Sequence, residues 1–176
     1  MNFSTQSRQE KLAILKARAH ALAQVPEEAE SATLQLEITE FRLGDETYAC
    51  VSSSVREVYP LKGLTPLPCA PAFILGIINV RGRILPVIDV KPVLGLPSSP
   101  TREFGKVVIL HAEGMEVGLL ADIIVGVRAI STSILHPPLP TLTESQFRYI
   151  RGITSDGTTL LDAATLLTGS RPGNHE

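Results

Sequence analysis

The side chains best able to do chemistry are few and scattered. The four histidines, His20, His111, His136 and His175, have no His, Cys or carboxylate neighbour at ligand spacing, so no metal centre is expected. The two cysteines, Cys50 and Cys69, form no CxxC pair. They support neither a disulfide framework nor a zinc site. Cys50 beside Val51 reads as a small buried hydrophobe. Cys69 lacks the basic neighbours that would depress its pKa. Phosphate loops, GxGxxG, GxSxG and HExxH motifs are all missing. Asp89 and Asp162 each follow an apolar strand, and each reads as the N-cap of one helical turn. The oddly placed charges that remain are Arg81-Gly82-Arg83 and a lone Glu57 between Val55 and Val58. Gly82 permits φ > 0 in a tight turn, near which both arginines project. On spacing alone they make a solvated hairpin tip, and Glu57 an exposed strand charge. The expectation is a binding protein with no enzymatic activity and no cofactor.

The elements that position these residues change character near residue 30. Before residue 31, Val, Ile and Thr occur only as Thr5, Ile14 and Val25; afterwards they abound, which favours pleated surfaces. Leu12, Leu15, Ala19 and Leu22 share one helical face. Ser7-Arg8-Gln9-Glu10 resembles a capping box, and Pro26 is a stop. An amphipathic helix is therefore expected over residues 8–24, within an N-terminal segment 1–33 that is accessory to a domain at 34–176. Leu34, Leu36 and Ile38 alternate, then the phase slips before Phe41 and Leu43, a bulge signal. Hairpins are expected at 77–88 around Arg81-Gly82-Arg83, at 107–121 around Glu113-Gly114, and at 150–161 around Ser155-Asp156-Gly157. Pro-rich stretches at 60–71 and 137–140 read as irregular loops. Many short strands with turn punctuation predict a barrel or sandwich. Arg81-Gly82 followed by Asp89 and Gly95 is echoed by Arg151-Gly152, Asp162 and Gly169. That echo suggests two related barrels, or else chance similarity between two junctions.

Bulk composition fits. At roughly 150 residues per domain, the 176 residues make about one domain. Hydrophobic residues are 44% and charged residues 19%, as in a folded core. Aromatics are 5% and Trp is absent, so the core must be aliphatic. A net charge of −2 disfavours binding nucleic acid through phosphate neutralisation. No secretory signal and no membrane-spanning run is evident, and the expected location is cytoplasmic.

The continuous stretch from Pro66 to Val90, containing Gly76-Ile77-Ile78-Asn79-Val80-Arg81-Gly82-Arg83 and Pro86-Val87-Ile88-Asp89, resembles the signature of the CheW family of chemotaxis adaptors. Phe41-Arg42-Leu43-Gly44 with Tyr48, Val55-Arg56-Glu57-Val58, Val117–Asp122, Arg151-Gly152 and Leu160-Leu161-Asp162 extend the resemblance over residues 34–169. It implies a mainly β fold of two intertwined five-stranded SH3-like β-barrels, here with an N-terminal accessory helix. It implies a non-enzymatic adaptor, with two partners: the regulatory domain of a CheA-type histidine kinase and the cytoplasmic tips of methyl-accepting chemoreceptors. The implied contact residues are Glu57, Arg81, Gly82, Val55, Val58 and Val80. Two roles stay open for Glu57 and Arg81: partner contacts, or a mutual pair that braces the barrel. Gly76 is expected at a close backbone approach ending a short helical turn. A small-molecule-binding β-barrel is the alternative reading, and it would need a central cavity.

Overall fold

The computed structural model describes residues 34–97, 105–138 and 142–169. The helix expected at 8–24 lies outside them. Eleven strands follow in chain order. They are β1 Gln35–Leu43, β2 Glu46–Val51, β3 Val55–Pro60, β4 Ile74–Val80, β5 Arg83–Ile88, β6 Lys106–Ala112, β7 Met115–Ala121, β8 Ile123–Ser131, β9 Leu135–His136, β10 Ile150–Thr154 and β11 Thr159–Leu161. Two short helices accompany them, α1 Glu144–Tyr149 and α2 Ala163–Gly169.

The strands form two sheets. The first runs β8-β1-β2-β11-β10-β9 and the second β3-β6-β7-β5-β4. The first thus has six strands, not five, because the two-residue β9 adds to β10. The N-terminal hairpin β1–β2 joins the C-terminal strands, while β3–β5 join β6–β7. This exchange is the intertwining that the resemblance implied. Each sheet rolls toward closure in its own way. Beyond β3, Thr65 pairs with Ile77 of β4 on the opposite edge, through reciprocal hydrogen bonds of 2.9 Å. In the first sheet a 3-10 turn, Thr132–Ile134, links edge strand β8 directly to edge strand β9.

The sheets repeat one another. β5 runs parallel to β7, and β11 parallel to β2. Hairpin β4–β5 shifts register between Ile74 and Gly76, and hairpin β10–β11 between Ile150 and Gly152. The Asp89 amide bonds the Phe73 carbonyl, and the Asp162 amide bonds the Tyr149 carbonyl, both at 2.8 Å. The Asp89 carboxylate accepts from the Lys91 amide, and that of Asp162 from the Thr165 amide. The echo is therefore structural, but its register differs from the sequence reading. Gly152 corresponds to Gly76 in a bulge, not to Gly82 in a turn.

Three apolar clusters hold the fold. Ile78, Val80, Leu85, Val87, Val107, Ile109 and Leu120 fill the second sheet's interior. Ile38, Ala49, Ile130 and Leu160 fill that of the first. The largest cluster, including Phe41, Leu43, Ile88, Val108, Leu110, Leu119, Leu161 and Leu166, lies between the sheets. Strand β6 buries Val107 and Ile109 in one core and Val108 and Leu110 in another. That is why it reads as a continuous apolar run rather than an alternation. The phase slip in β1 has the same cause: Ile38 faces the first sheet's interior while Phe41 and Leu43 face the junction. The bulge is real, but its extra residue, Val125, sits on β8, where Glu40 pairs with Gly126 and Phe41 with Ile124. A small apolar hollow at the junction, lined by Phe73, Ile88, Val90, Tyr149 and Leu166, measures about 50 Å³, well below the roughly 300 Å³ of the smallest ordinary ligand pockets.

Candidate functional site

The hairpin β4–β5 ends in a two-residue loop. Arg81 and Gly82 both have left-handed backbone, φ +52° and +85°, the signature of a type I′ turn. The Asn79 side-chain oxygen accepts the Gly82 amide at 2.8 Å. Arg81 occupies the position where Asn is favoured, because a bulky residue at positive φ is strained. The turn thus lifts Arg81 into solvent, its side chain 76% exposed.

Glu57 reaches this turn from β3, the opposite edge of the sheet. One carboxylate oxygen accepts from Arg83 at 2.8 Å, and the other lies 3.5 Å from Arg81. Arg83 also pairs with Glu116 of β7, which in turn pairs with Arg56 of β3. The result is an alternating ribbon, Arg81–Glu57–Arg83–Glu116–Arg56, across the mouth of the second sheet. Burial is the largest single influence on Glu116 and pushes its carboxyl up. Hydrogen bonds from Arg56 and Arg83, and then their charges, act downward and hold it below the ordinary carboxylate value. A guanidinium does not give up its proton in proteins, so the ribbon suits recognition rather than proton transfer. Among the described residues, no group of three or more His, Cys, Asp or Glu could hold a metal ion.

The sequence-derived site residues separate on inspection. Glu57, Arg81 and Gly82 meet at the turn. Val58 lies on the same strand and is 40% exposed. Val55 is half-buried against the inter-sheet core. Val80 is wholly buried in the second sheet's interior, so it supports the turn from beneath and is not a contact residue. Gly76 does sit at a close approach: a Cβ there would meet the Thr65 carbonyl oxygen at 2.3 Å. It lies inside β4, however, and not at the end of a helical turn, because the Thr65–Ile77 bridge forces the contact. Sequence reasoning left Arg56 and Glu116 unassigned and gave Arg83 no partner. It also missed exposed Ile84 beside them. A signal was present, since Arg83 opens β5 and Glu116 is the second residue of β7, each next to a predicted tight turn.

A second ionic lock joins the two sheets. Lys91 is buried, and its ammonium donates to Asp122 at 2.7 Å. The other Asp122 oxygen accepts the Gly44 amide of the β1–β2 turn at 2.6 Å. In the first sheet, Arg128 of β8 binds Glu40 at 2.7 Å and Asp156 of the β10–β11 turn at 2.6 Å. Cys50 is buried, and burial pushes its thiol up to about 12, which makes it inert.

Comparison with known proteins agrees with this architecture. The chemotaxis protein CheW of Treponema pallidum is 31% identical over 131 residues, covering 72% of this chain and 77% of that protein. A probable chemotaxis protein CheW of Rhizobium etli is 32% identical over 118 residues, covering 66% and 76%. The solved structure of the scaffolding protein TtCheW from Thermoanaerobacter tengcongensis superposes with a TM-score of 0.66 at 30% identity, covering 73% of this chain and 90% of that one. The family profile of the CheW-like domain matches residues 37–171, and the chain belongs to the CheW-like domain family.

Proposed function

We propose that the protein is a non-enzymatic adaptor that couples the cytoplasmic tips of chemoreceptors to a CheA-type histidine kinase in a chemosensory array. The observation that carries this reading is the CheW-like match over residues 37–171, laid on a fold that presents an ionic ribbon at the mouth of one sheet. The protein's part is to hold two partners at a fixed geometry. A receptor tip is a helical hairpin, which needs an apolar groove with charged anchors beside it. Val58 and Ile84 supply exposed aliphatic surface near the ribbon, and Arg81 supplies a charged anchor. No described helix is long and apolar enough to cross a membrane.

Calorimetric titration tests this. The expected result is saturable binding to the regulatory domain of the CheA-type kinase from the same cell, with no chemical turnover. Adding the protein should also place that kinase's autophosphorylation under receptor control in membranes. Absence of binding to both the kinase domain and a receptor-tip fragment would refute the reading.

A further inference from the structure

We infer that Arg83 is a positioning residue: it holds Glu57 by the shorter contact and so leaves Arg81 only loosely paired, ready to capture an acidic side chain of the receptor tip. The inference rests on the adaptor reading above and adds the chemistry of the contact.

Four observations converge. Glu57 is the one carboxylate within ion-pair reach of Arg81 among the described residues, and its nearer bond goes to Arg83, 2.8 Å against 3.5 Å. Arg83 is itself fixed, since its other nitrogen is taken by Glu116, which Arg56 clamps from the far side. Three guanidinium groups against two carboxylates leave one positive charge on the ribbon, and Arg81, 76% exposed against 55% for Arg56, is its more exposed end. Arg81 is also the residue that breaks a local rule. It stands at φ +52°, where Asn would cost less backbone strain, and backbone strain of this kind clusters at functional positions. A bracing role does not account for it, because Glu57 is already braced.

The consequence is a competition. With Arg83 in place, a partner carboxylate can take Arg81 without stranding Glu57. Without Arg83, Glu57 turns to Arg81 and occupies the group the partner needs. Lysine cannot stand in fully, because an ammonium lacks the planar fork that bridges two carboxylates.

The test uses the full chain and a soluble receptor-tip fragment from the same cell. Arg83→Met is expected to bind roughly fivefold more weakly, the scale a competing surface ion pair imposes. Arg83→Lys should fall between. The decisive variant is Arg83→Met with Glu57→Gln. With the competing carboxylate removed, adding Arg83→Met should change affinity by less than about twofold relative to Glu57→Gln alone, whereas a structural role for Arg83 predicts further loss. A loss as large in that background as in the wild type, with the wild type binding, overturns the inference and leaves the adaptor reading standing. Failure of the wild type to bind counts against the adaptor reading. The retention step is then decided on the protein alone by urea double-mutant cycles. Coupling between Arg83 and Glu57 should exceed that between Arg81 and Glu57; the reverse order overturns the inference.

Discussion

Replacing Gly76 by Ala tests whether the second sheet is closed as described. A Cβ at residue 76 lies 2.3 Å from the Thr65 carbonyl oxygen and 2.8 Å from its carbon, whereas ordinary contact begins at 3.4 Å. The obstruction is backbone, so no side chain can rotate away. Thr65 must retreat by about 1 Å, which breaks the two 2.9 Å hydrogen bonds that join it to Ile77. Two such bonds contribute about 1 kcal/mol each. Alanine at φ +150° adds strain of about 1–3 kcal/mol. The expected loss is therefore about 3–5 kcal/mol, or roughly 10 °C in Tm for a chain of this size. Gly82→Ala is the control, with φ +85° and no atom within 4 Å. Only conformational strain applies there, about 1–2 kcal/mol. Urea unfolding followed by circular dichroism separates the two through their midpoints at equal m-value. If both variants lose the same stability, the close approach at Thr65 is wrong, and so is the closure that brings Glu57 to the turn.

Two further outcomes follow from the ion pairs. Asp122→Ala should destabilise by about 3–5 kcal/mol because it strands the buried Lys91 ammonium; Lys91→Met, which leaves a half-exposed carboxylate still bonded to the Gly44 amide, should cost clearly less. Equal losses in thermal melts would mean that Lys91 is not buried as described. The second concerns acid. Glu116 is held below its ordinary value of 4.5, so its contribution is fully present above that value and is lost as pH falls through the lower folded-state value. Glu116→Gln should therefore flatten the acid limb of the stability–pH curve below about pH 4.5. An unchanged limb would show that Arg56 and Arg83 do not hold the carboxylate.

Much of the fold was legible because the hairpins announce themselves locally. Arg81-Gly82 and Glu113-Gly114 punctuate apolar runs, and the structure places a two-residue turn at each, with strands ending within a few residues of the reading. Asp162 capping α2 was equally readable, since a cap depends on residues close in sequence. The misses arise where two burial demands share one strand. Along β1 the bulge signal is correct, but β1 also changes core there, from the first sheet's interior to the junction, so its own letters do not show that the extra residue, Val125, sits on β8. Helix α1 went unread behind a Pro-rich stretch, although Thr143 and Gln146 form a capping box there. Matching Arg-Gly letters align the two halves at a register the structure does not keep, because the corresponding residues are the bulge glycines Gly76 and Gly152. What the two halves share is a glycine under a crossing backbone. Gly76 lies beneath Thr65, and Gly152 beneath His136, where an added Cβ would meet the carbonyl oxygen at 2.8 Å.

That pseudo-repeat also explains why the site was only half visible. Bulged edge strands β3 and β8 occupy corresponding places, each shifted by one residue against its neighbour. Where β3 carries Arg56 and Glu57, β8 carries Val125 and Gly126. The same scaffold position is therefore charged in one sheet and apolar in the other, and Ile123, Val125 and Val127 stand exposed along β8. A sequence scan sees Glu57 as a lone charge on a strand because its partners lie 26 and 59 positions away, in Arg83 and, through it, in Glu116. Only rolling the sheet brings β3 to the β4–β5 turn, and that rolling depends on the glycine contact at Thr65. The ribbon is thus a product of closure, and a change at Gly76 that opens the sheet should disperse the site even with every charged residue intact.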